Sequence, residues 1–126
     1  MSALAGSRTI RIRNTTRGTV LGGRIRVADG VWSRFIGLLG RSSIPDGSGL
    51  LIYPSQGVHT LGMTFPIDVI FLDRSFKVLK LRENLKPFRM TSINLRTTSV
   101  LELPCSTIHA SATQVDDQLE IEAVEE

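Results

Sequence analysis

Asp68 and His59 are the residues of this chain whose placement could do chemistry. Both lie in the stretch Val58-His59-Thr60-Leu61-Gly62-Met63-Thr64-Phe65-Pro66-Ile67-Asp68-Val69-Ile70-Phe71-Leu72-Asp73. Asp68 interrupts an apolar run that reads as a central strand. A carboxylate buried there alone costs on the order of several kcal/mol, so it needs a donor or a proton. Arg34 and Arg41 could supply the donor. Seven residues apart, they fall on similar azimuths of a predicted helix, and a guanidinium offers a carboxylate a two-pronged match. The structural reading is an ion pair from Arg34 or Arg41 to Asp68 that fixes helix against sheet. The functional reading is a polar pocket for an anionic small molecule, formed by His59, Thr60, Met63 and Asp68 and bordered by Arg34. Structural ion pairs are common enough that the first reading leads.

An enzyme reading places His59 with Asp68 or Glu102 as acid and base of a hydrolase-like reaction. Metal chemistry has less support. Cys105 is the single cysteine and His109 the one histidine besides His59, so no closed set of zinc ligands and no disulfide can form. Neither a metal nor a cofactor is expected. Cys105 and His109, four residues apart, could act as nucleophile and base on one helical turn, but Cys105 reads more simply as a small, partly buried residue. Gly18, Gly22 and Gly23 lack the Gly-Lys-Ser/Thr ending and the following helix of a phosphate-binding loop.

The elements that must position these groups are mostly strands. Thr9-Ile10-Arg11-Ile12-Arg13 alternates with period two. Turn chemistry at residues 14–18 leads into a second strand over residues 19–27, with a bulge or bend at Gly22-Gly23. The period then changes: Asp29 can cap a helix running to Leu39 and stopped by Gly40. Its apolar face carries Val31, Phe35, Leu38 and Leu39 and is expected to pack in one core with Val69 and Phe71. Further strands are predicted at residues 50–53, 67–72, 76–81, 100–103 and 118–123. The chain turns at Asp73-Arg74-Ser75, a polar connection spans residues 85–94, and a helical turn falls near residues 106–110. The expected fold is a β-rich α+β protein, a single compact sandwich- or barrel-like domain over residues 1–126. It has seven to eight short strands and one main helix, with residues 1–7 a disordered tail.

Net charge is +3 over 126 residues, but the signs are segregated. Residues 1–41 hold eight arginines and one acid, whereas residues 110–126 hold six acids and no base. The basic and acidic ends are expected to lie close together as strands and neutralise much of each other's field. An RNA-binding module would rest on those arginines alone. No aromatic residues interleave with them to stack bases, so a nucleic-acid partner is disfavoured. Arginines interrupt residues 1–28 too often for a signal peptide, and no apolar run approaches the roughly 20 residues needed to cross a bilayer. The expected protein is soluble and cytoplasmic, with no membrane partner.

Three segments resemble a known family, the third more weakly. Trp32-Ser33-Arg34-Phe35-Ile36-Gly37-Leu38-Leu39-Gly40-Arg41 is similar to the Arg-x-x-Gly-Leu-Met-x-Arg helix of the bacterial and archaeal family numbered 192 among the domains of unknown function. The stretch from His59 to Asp73 resembles that family's second block, and Leu101-Glu102-Leu103-Pro104 a third, which the family usually continues with Ala-Gly where this chain has Cys105-Ser106. The resemblance runs from about residue 18 to residue 121. It implies a small β-rich fold and no established activity. The leading expectation is a small binding domain for a small molecule or a protein partner. The hydrolase-like enzyme and the RNA-binding module are its rivals.

Overall fold

A computed structural model describes residues 9–28, 43–55, 65–87 and 94–124. Seven strands, β1 (Thr9–Asn14), β2 (Thr19–Ala28), β3 (Ser48–Ile52), β4 (Ile67–Leu72), β5 (Val78–Leu85), β6 (Ser99–Leu103) and β7 (Leu119–Ala123), form one sheet in the order β5-β4-β6-β3-β2-β1-β7. A short helix, α1 (Thr107–Ser111), lies between β6 and β7. All neighbours run antiparallel except β2 and β3. A parallel pair needs a long crossover, which residues 29–47 supply. The predicted helix with Val31, Phe35 and Leu38 falls there and lies outside the described residues.

The two edge strands meet at one end. Lys77 and Gln118 form a bridge, Val78 N–H donates to the Asp117 carbonyl (2.9 Å) and Leu119 N–H to the Phe76 carbonyl (3.0 Å). The sheet therefore curls towards a barrel, and its two faces bury different sets of residues. The concave face gathers Ile10, Ile12, Ile25, Leu51, Ile70, Leu101, Leu103 and Leu119, with Ile108 of α1 over them. The convex face of the central strands buries a second cluster, Leu50, Ile52, Ile67, Val69, Phe71, Leu85 and Val100. With both faces covered, β4 is buried at every position. This is why its sequence is a continuous apolar run rather than an alternation. Val69 and Phe71 do share one core, on the convex side.

The strand limits differ from the sequence reading where side chains reshape the backbone. Asp73 Oδ1 accepts the amides of Ser75 (2.8 Å) and Lys77 (3.0 Å), and Phe76 takes φ 64. The turn therefore reaches Phe76 and β5 starts later than predicted. β5 also continues to Leu85, through a bulge that leaves Asn84 at φ 53. The expected bulge in β2 is present: Ile10 pairs with Ile25 and Ile12 with Gly22, whereas Arg13 pairs with Val20. A Cβ on Gly22 would lie 2.9 Å from the Gly47 carbonyl oxygen, so only glycine lets β2 approach that turn.

Ser106 stands where the family pattern has glycine. It adopts φ 74, the left-handed region, and its side chain makes no capping hydrogen bond. The turn needs a glycine conformation that serine adopts at a cost. Ser106→Gly is expected to raise stability by about 0.5–1 kcal/mol, read from the urea midpoint; an unchanged or lower midpoint would show that the turn is unstrained.

A buried polar cluster ties the β1–β2 turn to the chain entering β7. Asn14 Nδ2 donates to Thr113 Oγ1 (3.1 Å) and Asp117 Oδ2 (3.0 Å). Arg17 Nε and the Gln114 amide donate to the same Asp117 oxygen at 3.0 and 2.9 Å. Burial alone would raise the Asp117 pKa. The hydrogen bonds from Arg17, Asn14 and Gln114 and the Arg17 charge outweigh it and hold the carboxyl below its ordinary 3.8. A depressed folded pKa means a contribution present above the unfolded value and lost as pH falls through the folded one. Asp117→Ala is expected to cost roughly 2–3 kcal/mol at pH 7 and less at pH 2. Denaturation at both pH values checks this; an equal loss at both would refer the effect to packing.

Candidate functional site

Asp68 is fully buried and lies on the concave side, in register with Leu103. Its donors among the described residues are backbone amides. Oδ1 accepts the Asn84 amide (3.0 Å) and Oδ2 the Ile108 amide (3.0 Å). The first is freed by the β5 bulge and the second belongs to the first turn of α1. One carboxylate thereby joins three elements. Arg34 and Arg41, its proposed ion-pair partners, lie outside the described residues. So do His59, Thr60 and Met63, the other members of the proposed ligand pocket.

Glu102 of β6 is the other carboxyl singled out from sequence, and it faces the opposite way. Its register partners are Leu50 and Val69, both of the convex cluster, whereas Asp68 pairs with Leu103 of the concave one. Paired residues share a face, so the two carboxyls point to opposite sides of the sheet. Either could serve one site, but not both together. Glu102 is only 3% exposed. Burial among Leu50 and Val69 pushes its pKa from 4.5 up to about 8. At neutral pH the group is chiefly a carboxylic acid, able both to donate and to accept a hydrogen bond.

Cys105 and His109 do not form a nucleophile and base. His109 is exposed on α1 and no hydrogen bond joins the two. The thiol pKa is raised, first by burial and then by the negative charge of Asp68, so the thiolate needed for attack is disfavoured. An open groove of about 580 Å³ runs beside it, between the start of β2 and α1. Among the described residues no three His, Cys, Asp or Glu side chains come together to hold a metal.

The arginines divide into two groups. Arg11 and Arg13 of β1 stand 3.8 and 4.0 Å from Glu122 of β7, with Arg11 directly opposite it in register. Arg17 pairs with Asp117. Arg24 and Arg26 of β2 instead have uncharged register partners, Ser48 and Leu50. Sequence reasoning treated all of these arginines as one field. Only the register separates them, because it decides which face and which neighbour each one meets. The Asn14–Asp117 cluster was likewise missed, its partners being about a hundred residues apart. The one signal in the sequence was a polar residue, Asn14, ending an alternating strand.

A curled seven-stranded sheet, capped by one short helix and carrying a buried carboxyl on each face, defines a small barrel-like β domain. The chain belongs to the family DUF192, described as an uncharacterized ACR, whose model matches residues 12–121. It is similar to a UPF0127 protein of Thermococcus sibiricus, with 30% identity over 118 residues that span 90% of this chain and 75% of the relative. A UPF0127 protein of Pyrococcus furiosus is 33% identical over 112 residues, covering 85% and 94%. Two crystal structures share the fold. One, of a protein from Sinorhizobium meliloti described as a candidate transcription regulator, has a TM-score of 0.72, 20% identity and coverage of 96% and 98%. The other, of a protein of unknown function from Novosphingobium aromaticivorans, has a TM-score of 0.73, 18% identity and coverage of 95% and 96%. Among the described residues no helix is long and apolar enough to cross a membrane.

Proposed function

We propose that this protein is a small-molecule-binding domain in which Glu102 is the polar anchor of a site on the convex face of the sheet. One observation carries the reading: a carboxyl only 3% exposed, whose burial pushes its pKa up to about 8. A carboxyl held protonated in apolar surroundings can exchange hydrogen bonds with a partner's polar atom. The acid form offers one donor and one acceptor, which suits an amide or a carboxylic acid. The ionised form suits an amine. The flanking Leu50 and Val69 supply the apolar contact typical of ligand sites. A fragment set bearing amides, acids and amines, followed by amide NMR, tests this. Binders are expected to shift Leu50, Val69 and Glu102 and to lose affinity in Glu102→Ala. Binding unaffected by that change would place the site elsewhere.

A hydrolase-like reading has one observation in its favour. Glu102 stays protonated near neutral pH, as a general acid must, and of the two carboxyls proposed to work with His59 it is the one not engaged by backbone amides. The distinguishing result would be turnover of a chromogenic ester by the native protein, abolished in Glu102→Gln with fragment binding retained. A nucleic-acid role has less support, because Arg11, Arg13 and Arg17 each face an acid. The free thiol of Cys105 fits a reducing, cytoplasmic setting.

A further inference from the structure

We propose that the groove between the start of β2 and α1 binds an organic ammonium ion, an alkylamine or a polyamine, through the acceptor atoms that line it. The groove shares no residue with the Glu102 site and does not depend on it. Its volume of about 580 Å³ falls within the range of small-molecule sites, roughly 300–1,000 Å³.

The hydroxyls of the lining set its hydrogen-bonding character. Thr19 and Thr107 both border the groove, and each commits its one proton to a backbone carbonyl. Thr19 Oγ1 donates to Ser111 and Thr107 Oγ1 to Pro104, both at 2.8 Å. A hydroxyl whose proton is engaged has only lone pairs left, so both can do no more than accept. The charges have the matching sign. Asp46 stands on the turn that forms one wall. On the α1 side Cys105 feels the negative charge of buried Asp68, which adds to burial in pushing the thiol pKa up. Among the described residues that line the groove there is one acid and no base. A ligand that brings N–H donors and a positive charge answers both features. The chain as a whole carries a net charge of +3, so this local field opposes the global one and long-range attraction would not draw a cation here. Half-exposed Val20, with Ala110 of α1, gives the groove an apolar flank along which the methylene chain of an amine can lie.

Two measurements on the full chain test the site. Amide NMR titrations with 1,4-diaminobutane, and separately with its neutral counterpart 1,4-butanediol, are run at constant ionic strength. A saturable shift at residues 19–22, 46–47 and 105–107 is expected with the diamine alone. Asp46→Ser should weaken binding about tenfold, and Ala110→Lys, which sets a cation in the groove, should abolish it. Glu120→Gln, an equal change of net charge on β7, should leave it unchanged. Cys105, the single cysteine, reports the sign of the field directly. Relative to free cysteine it should favour a trimethylammonium-bearing methanethiosulfonate over a sulfonate-bearing one by on the order of fivefold. The raised thiol pKa slows both reagents alike and leaves that ratio untouched. A diamine shift that is absent, grows linearly, is matched by butanediol or falls only on Leu50, Val69 and Glu102 would overturn the proposal. So would equal weakening by Glu120→Gln, or a Cys105 that prefers the anionic reagent.

Discussion

Glu102→Gln is expected to make the protein more stable at pH 8 while changing it little at pH 4.5. The folded state holds a proton on Glu102 up to about pH 8, whereas the unfolded chain releases it near 4.5. Between those values the folded state binds more protons than the unfolded one, so native stability must fall as pH rises through the window and level off above it. A shift of this size corresponds to roughly 3–5 kcal/mol across the window. Glutamine keeps the shape, carries no charge and does not titrate there, so the variant should lack the slope. Among the described residues, the other groups whose pKa moves are Asp117, downward, and Cys105, upward, and both titrate outside the window. Urea denaturation of both proteins at pH 5, 6, 7 and 8 measures the difference directly. Parallel curves would mean that Glu102 is solvated or paired, and the reading of it as a buried, protonated anchor would be lost.

Asp68→Asn is expected to lower stability by about 2–4 kcal/mol. The native carboxylate accepts at both oxygens, from the amides of Asn84 and Ile108. Asparagine retains one acceptor and turns an NH₂ group towards the other amide, so a donor faces a donor inside a fully buried site. Both partners sit on irregular backbone, the β5 bulge and the first turn of α1, so the loss should be local as well as global. Hydrogen exchange at Asn84 and Ile108 should quicken by more than at Val69 or Leu101, whose strand ladders are untouched. Should the variant keep its midpoint and its protection pattern while ligand binding collapses, Asp68 works in the site rather than in the scaffold.

Much of the architecture was legible in local pattern. The run Ile67-Asp68-Val69-Ile70-Phe71-Leu72, preceded by Pro66 and followed by a turn, reads as a buried strand because no solvent-facing alternation interrupts it, and β4 spans those residues. That Asp68 must be buried and satisfied followed from its neighbours alone. The proximity of the basic and acidic ends followed from charge, and β1 does pair with β7. These are properties of residues close in sequence, or of charge averaged over a segment.

The identity of each partner was decided by the tertiary structure. The described donors to Asp68 lie 16 and 40 residues away, on a bulge and in the first turn of a helix entered through a left-handed residue, which no apolar pattern announces. Asp68 and Glu102 looked interchangeable as partners of a histidine. The register that sets Asp68 against Leu103 and Val69 against Glu102 sends them to opposite faces. Side chains alternate with a period of two, so a slip of one residue would have exchanged their roles. The same register matched Arg11 to Glu122 and left Arg24 opposite Ser48. Composition determined that this chain folds around apolar strands with charged ends; which charges neutralise one another depends on strand pairing between residues far apart in sequence.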